Sequence, residues 1–564
     1  TDKTLTYSGT AISLGANTLT LSGGGTFSNT NALVLNNADS LLSLAGILTI
    51  GDVEGTAASN TGKGIQVSSS ATLGDYDLSA LSYLGIAANQ TLSGQLNIQS
   101  NGELNISGDG EYTGDIELAG GKFRAIETVD DQNLAGTLSI SANSEIIVPT
   151  GSTLVLNQTG GLPLGASTLT LSGGGNFQSA GLDLNDPDSK LLLNSITVDS
   201  VSTSADSSGL DIDADSTVSS LSVAHITPVA IADGITLSGA ITVTAGSIKL
   251  AETGTLASSI SMSGGVLDAD NSLTVSGALT LGNNNNITID VLTDKTLTYT
   301  RYLSVNTNTL TLSGGGTFNN TNYLRLNTGG GILSLAGILT IGKVATTSSS
   351  PGKGIQVLSS ATIGDLRSES HESNLVIAAN QTLDGELTIT ASQDRAYIGE
   401  LNISGDGEYT GNIALAGGKL NAVDDLTLAG TVSISKSSEI FVSTGSTLVL
   451  NQTGGLSLGA TTLTLSGGGN FQSAGLDLND PDSKLLLNSI TVDSVSTSVD
   501  NSLGLDVDED STVTSLSVSN ITPISIADGI SLSGAITVTA GSIKLAETGT
   551  LASSISMSGG VLDA

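Results

Sequence analysis

Apolar and polar residues alternate along this chain in short bursts. Thr18-Leu19-Thr20-Leu21 is typical, and Thr4–Tyr7 and Ala11–Leu14 follow the same rule. Alternation over four or five residues predicts a short strand with one buried face. Ser-Gly, Gly-Asn, Asn-Asn, Gly-Asp and Ala-Gly pairs separate these bursts and supply turn chemistry. No segment carries a sustained apolar period of 3.6 residues. Taking Leu5, Ile12, Leu19, Phe27, Leu33, Leu42 and Leu48 as inward markers, the strands step by 7, 7, 8, 6, 9 and 6 residues. Every third strand therefore recurs after 21 to 23 residues. That spacing predicts an all-β, elongated parallel β-helix or β-solenoid, with about three short strands and 21–22 residues per coil. A right-handed parallel β-helix is the natural solution. Antiparallel sandwiches and propellers stay open, although they require hairpin turns in place of evenly stepped corners.

Longer repetition overlies this step. Thr1–Tyr7 (TDKTLTY) returns unchanged at Thr293–Tyr299, Lys190–Ser202 at Lys484–Ser496, and Leu256–Ala269 at Leu551–Ala564. A unit of about 295 residues is thus nearly duplicated. Each long unit is itself a degenerate pair, because LTLSGGGxF begins at Leu19, Leu169, Leu310 and Leu463. Four solenoid units follow: 1–130, 131–269, 270–424 (a copy of the first) and 425–564 (a copy of the second). Residues 270–292 have no counterpart before Thr1, so the expectation is a window on a longer array or a protomer that stacks end to end on itself. About 26 coils at roughly 4.8 Å each predict a rod on the order of 125 Å long.

Composition narrows the class. The chain has 564 residues with 71 Gly, only 7 Pro, no Cys and no Trp. Scarce Pro fits strands that all need ladder donors, and few aromatics fit a narrow coil with little room for rings. Without Cys there is neither a disulfide framework nor a thiolate metal site. Fifty-three Asp and Glu against 17 Lys and Arg give a net charge of −36, which argues against nucleic acid and anionic membranes as partners. Apolar runs are too short for a membrane-spanning helix.

Gly108-Asp109-Gly110-Glu111-Tyr112-Thr113-Gly114, followed by Leu118 and Gly120-Gly121-Lys122-Phe123, resembles the passenger-associated strand repeat of bacterial autotransporters. A second copy runs from Gly405 to Gly411, then Leu415 and Gly417-Gly418-Lys419-Leu420. The Leu/Thr/Ser/Gly/Asn texture is similar to filamentous-haemagglutinin-like adhesins. What the resemblance implies is an exported bacterial surface or matrix protein built on a β-solenoid.

Candidate chemistry is sparse. Asp211, Asp213 and Asp215 recur as Asp506, Asp508 and Asp510. Alternate carboxylates on a strand share a face and suit a hard cation such as Ca²⁺, while a solvated acidic strand face or Asx turns account for the same pattern. Asp183, Asp186 and Asp188 recur as Asp477, Asp480 and Asp482. His225 is Asn520 in the other copy, and His371 has no counterpart, so neither reads as a catalytic base. A polysaccharide-acting enzyme needs two carboxylates in a cleft with aromatic platforms, and no Trp is present. Asn89, Asn105 and Asn157 open glycosylation-type tripeptides. Ser22–Gly25 reads as a corner, since the Lys of a phosphate loop is missing. The Thr pairs 18/20, 168/170, 309/311 and 462/464 recur too sparsely for an ice-binding face.

These features point to a non-enzymatic, extracellular bacterial solenoid that forms a fibre, stalk or matrix filament, with no catalytic residues and no required cofactor. Its partner is itself, through stacking or lateral bundling. The alternative is an adhesin whose rod presents a face or tip to a surface glycan or cell partner. The segments 76–85 against 366–374 and 98–101 against 390–398 differ most between copies and mark where such a face is sought.

Overall fold

A computed structural model describes residues 3–126, 132–327, 330–346, 354–369, 371–391, 398–500, 503–545 and 548–563. Among them there are strands and turns and no helix. The chain winds as a β-solenoid of about 25 turns with coils of roughly 21 residues, and the paired strands run parallel. This settles the fold against sandwiches and propellers. Two compact units are present, Thr1–Leu279 and Thr280–Ala564.

One coil of the first unit shows the plan. Thr18–Leu21 lies in one sheet, Thr26–Asn29 and Leu33–Leu35 lie in the other, and Leu41–Leu44 returns to the first position one coil on. The sheet holding one strand per coil is called the single-strand sheet below, and the other the two-strand sheet. Residue Thr18 pairs with Leu41 and Leu41 with Gly64, so each coil lays its strand on the previous one. Alternate residues point inward and stack into apolar columns such as Leu19, Leu42 and Ile65. The second unit repeats this with Leu310, Leu333 and Ile355. Each coil contacts chiefly its neighbours, so stability accrues coil by coil.

In several coils the two strands of the two-strand sheet fuse into one long bent strand, as in Ala71–Leu78 and Thr91–Gln99. The bend coincides with a register shift between Thr72 and Asp75, and comparable shifts occur at Val218/Leu221, Ile363/Asp365 and Val513/Ser515. Glycine makes the bend. Gly239 has φ 119° and Gly385 φ 130°, and a Cβ at either would overlap the carbonyl oxygen of Val218 or Ile363 in the preceding coil. Only a residue without a side chain permits both that dihedral and that approach.

Two expectations need correction. Leu48 is not an inward marker: it is 52% exposed at a corner, and Ile47 and Ile50 fill the interior around it. Leu5 does share a column with Phe27, and Ile12 with Leu33, but Leu5 belongs to the first described coil and is 67% exposed. Aromatic rings are not kept out of the coil. Tyr76, Tyr112, Tyr299, Tyr409, Phe123, Phe177, Phe318 and Phe471 are all fully buried. Room for them comes from small residues in register: Gly55, for example, lies beside Tyr76 and Leu78.

Candidate functional site

The aspartate strings occupy equivalent places in the two units. Asp211 lies on strand Gly209–Ala214 and Asp506 on Gly504–Val507, both beside a lysine of the preceding coil. Lys190 Nζ is 2.6 Å from Asp211 Oδ2, and Lys484 Nζ is 2.5 Å from Asp506 Oδ2. Asp215 lies just beyond its strand, where Oδ1 accepts the Thr236 N–H at 2.8 Å. Asp510 accepts the Ser531 N–H in the same way at 2.7 Å. Asp213 and Asp508 are exposed, and Asp508 falls past the end of its strand. Thus each string divides its carboxylates among a cross-coil ion pair, solvent and a corner amide. Among the described residues no group of three or more His, Cys, Asp or Glu is arranged to hold a metal ion.

The second acidic cluster builds a corner. Asp186 Oδ1 accepts the Asp188 N–H at 3.0 Å, the Asp186 N–H donates to Ser189 Oγ, and Ser189 Oγ donates to the Gly165 carbonyl of the preceding coil. Asp480, Asp482 and Ser483 repeat this arrangement, as do Asn37, Asp39 and Ser40. It is an Asx turn stitched to the coil below. Asp183 accepts from Ser204 Oγ at 2.7 Å, and Asp477 from Ser496 Oγ at 3.4 Å.

The remaining candidates scatter. His225 is a half-exposed corner residue 3.9 Å from Asp206. His371 opens the strand His371–Ile377 opposite Gly399, and its side chain lies outside the described set. Asn105 is 5% exposed and so is closed to glycosylation in the folded chain, whereas Asn89 and Asn157 are exposed. Gly23 and Gly24 both have positive φ, and Gly24 donates to the Gly46 carbonyl of the next coil, which makes Ser22–Gly25 a corner. Thr18 and Thr20 pair with Leu41 and Ser43, so the threonine pairs do not stack on like pairs.

The strand-repeat motif has a packing logic. Tyr112 is buried in the coil and its hydroxyl donates to the Gly94 carbonyl at 2.8 Å; Tyr409 does the same to Gly385 at 3.0 Å. Burial raises both phenol pKa values beyond the ordinary tyrosine range. Lys122 lies 2.7 Å from Glu145, which holds its ammonium above the usual pKa.

One group of residues carries no motif and emerges only from the register. On the outer face of the two-strand sheet, Tyr302, Tyr323, Lys343 and Asp365 form one column, and Ser304, Arg325, Ala345 and Arg367 form the next. The Arg325 guanidinium stacks 4.6 Å from the Tyr302 ring. Lys343 and Arg367 lie 5.8 Å and 5.2 Å from the Tyr323 ring. Tyr323 donates to Asp365 Oδ2 at 2.7 Å, and burial together with that carboxylate pushes its pKa up to about 12. The same positions in the first unit are Val34, Asp52, Glu54, Asp75 and Asp77. A position-by-position comparison of the two long copies, once aligned by strand register, would have found this face. The other divergent segment, 98–101 against 390–398, has residues 392–397 outside the described set.

No family model, curated protein or solved structure matches the chain. What the fold itself defines is a parallel β-solenoid protein of tandem repeats. No helix among the described residues is long and apolar enough to cross a membrane.

Proposed function

We propose that the chain is a structural segment of an extracellular bacterial fibre, stalk or matrix filament. The observation that carries this reading is the assignment of polar residues. Asp186 and Asp480 hold turns, and Asp211, Asp215, Asp506 and Asp510 bridge neighbouring coils, so these carboxylates serve continuity of the ladder. Parallel ladders carry load along the stack, and the number of repeats sets length. Glycine corners, buried leucine columns and near-identical long copies suit a length-setting role. The strand repeats at Gly108–Gly114 and Gly405–Gly411, with their autotransporter-like pattern, support export to the cell surface.

Electron microscopy and fibre diffraction of the native material test this. The expected result is long uniform fibres with a meridional spacing of about 4.8 Å. Native material consisting only of single rods of roughly 125 Å, with no larger assembly, would defeat it.

A further inference from the structure

The two units carry opposite charge on the same patch of the same face. In the first unit, Glu54 sits on the strand Val53–Gly55 with Asp52 just before it, and Asp75 and Asp77 on the next, all facing outward beside the buried Val53, Tyr76 and Leu78. Strand neighbours are about 4.8 Å apart and alternate residues about 7 Å apart. Four carboxylates therefore occupy a small square of like charge, an arrangement that costs stability. In the second unit the matching strands carry Arg325, Lys343 and Arg367, with one carboxylate, Asp365. The first patch has four negative charges and no positive one; the second has three positive charges and one negative within it, with Glu369 near Arg367 and Glu386 beside Asp365 at its edge.

Among the described residues neither patch is fully neutralised by its own unit. Lysines on the single-strand sheet lie against carboxylates of adjacent coils: Lys122 on Glu145, Lys190 on Asp211, Lys249 on Asp268, Lys419 on Glu439 and Lys484 on Asp506. By contrast, Arg325 and Lys343 have no ion-pair partner among the described residues, and neither do Asp52, Glu54, Asp75 and Asp77. Arg367 pairs with Asp365 on its own strand and lies near Glu369. In a chain of net charge −36, three unneutralised or half-neutralised cations side by side are unexpected unless they meet an anionic surface.

We propose that this face docks laterally on a second copy of the same chain, the Arg325/Lys343/Arg367 patch of one molecule against the Asp52/Glu54/Asp75/Asp77 patch of another. The matching rests on register. Both patches lie on equivalent strands with the same column spacing, each flanked by buried side chains, so complementary charges face outward in matching register. Tyr302 and Tyr323 hold the cations by stacking and lower the entropy lost on docking. Each patch is small beside the roughly 1,200 Å² of a stable pairwise interface, so a single contact is weak and gains strength by repetition along an array. This inference goes beyond the fibre reading and does not need it.

Sedimentation velocity of the 564-residue chain at low, physiological and high salt tests the pairing. In about 20 mM salt the net negative charge repels over about 20 Å or more; near 150 mM only facing patches interact; near 1 M they are screened. Self-association is therefore expected to peak at the intermediate salt. The substitutions come from the molecule itself. R325V/K343D/A345E/R367D gives the second unit the first unit's residues, and V34R/D52K/E54A/D77R does the reverse, so each set places residues already found at the equivalent strand positions. Either set alone is expected to weaken association at least tenfold, and the two together to restore it, with the β-sheet circular dichroism unchanged throughout. A chain that stays monomeric at all three salts overturns the proposal, as does association indifferent to both sets. Binding of polygalacturonate that needs Arg325, Lys343 and Arg367, in a chain that does not self-associate, also overturns it and assigns the face to an acidic glycan. Absence of pairing in a chain whose native material still forms fibres would remove only this inference.

Discussion

The coil at Tyr76 and its copy at Leu366 solve one packing problem twice. Both follow nearly the same lead-in, Ala71–Asp75 and Ala361–Asp365, and both bury their inward side chains. In the first unit the layer consists of Tyr76, Leu78 and Gly55, with Ser82 across the coil. In the second it consists of Leu366, Ser368 and Thr346, with Ser373 in the place of Ser82. The ring and Leu78 fit because Gly55 has no side chain; where the ring is lost, Thr346 returns volume. Polar matching did not follow. Tyr76 and Ser82 hydroxyls share a 2.5 Å hydrogen bond inside the coil, whereas Ser373 Oγ is buried with no partner among the described residues. The second layer thus regains part of the lost volume through Thr346 but does not regain the hydrogen bond.

Breaking the larger solution costs most. Tyr76→Ala empties a ring-sized space and is expected to destabilise the first unit by about 3–5 kcal/mol, read as a lower denaturant midpoint with early loss of amide protection at Ala71–Leu78. Gly55→Thr, with Tyr76 and Leu78 kept, overfills the same layer, since its Cβ would lie 2.7 Å from Leu78 Cδ2. A cost of about 1–3 kcal/mol is expected. The triple exchange G55T/Y76L/L78S should recover most of it. Failure of the triple exchange to recover would show that the two layers are not interchangeable.

Alkali sharpens the same contrast. Burial raises the Tyr76 phenol pKa above the ordinary value of 10, outweighing the opposing effect of its bond to Ser82. The folded coil keeps this phenol neutral while the unfolded chain ionises it, so the unfolded state binds fewer protons. Stability from this group is complete below pH 10 and falls as pH rises beyond it. In denaturant midpoints measured between pH 9 and pH 11.5, Tyr76→Phe is expected to flatten the fall by up to about 1.4 kcal/mol per pH unit. Leu366→Phe in the other copy should leave it unchanged.

Much of this architecture is legible in the sequence, because periods of two residues and of roughly 21 both follow from burying one face of each strand in a stacked coil. The columns through Phe27, Leu33 and Leu42 follow directly from that period. Leu48 misleads because a corner breaks the alternation: Leu48 and Ile50 are two apart, yet only Ile50 lies in a strand. Tyr76 is opaque for another reason. Nothing local shows that the residue 21 positions earlier, Gly55, leaves space for a ring. The face at Arg325, Lys343 and Arg367 is harder still, since its members are 18 and 24 residues apart and only register places them side by side. The aspartate strings stand out to the eye, yet their carboxylates are drawn apart by a lysine and a corner amide.

The smallest expected effect decides between two meanings of the orphaned hydroxyl. If Ser373 is a residue whose partner was lost when tyrosine gave way to leucine, its hydroxyl only costs desolvation. Removing it then helps, because a buried group without a partner forfeits about 1–3 kcal/mol when it leaves water. Ser373→Ala is expected to raise the stability of the second unit, by up to about 1 kcal/mol after the lost packing of one oxygen is set against the gain. Ser82→Ala, the same chemical change 291 residues earlier, strands the Tyr76 hydroxyl and is expected to lower stability by about 1–2 kcal/mol. Leu366→Tyr combined with Thr346→Gly should then reverse the sign at Ser373, giving it the partner that Ser82 has. Equal signs at the two serines would mean that the hydroxyl of Ser373 is satisfied in solution, and that the copies differ in volume alone.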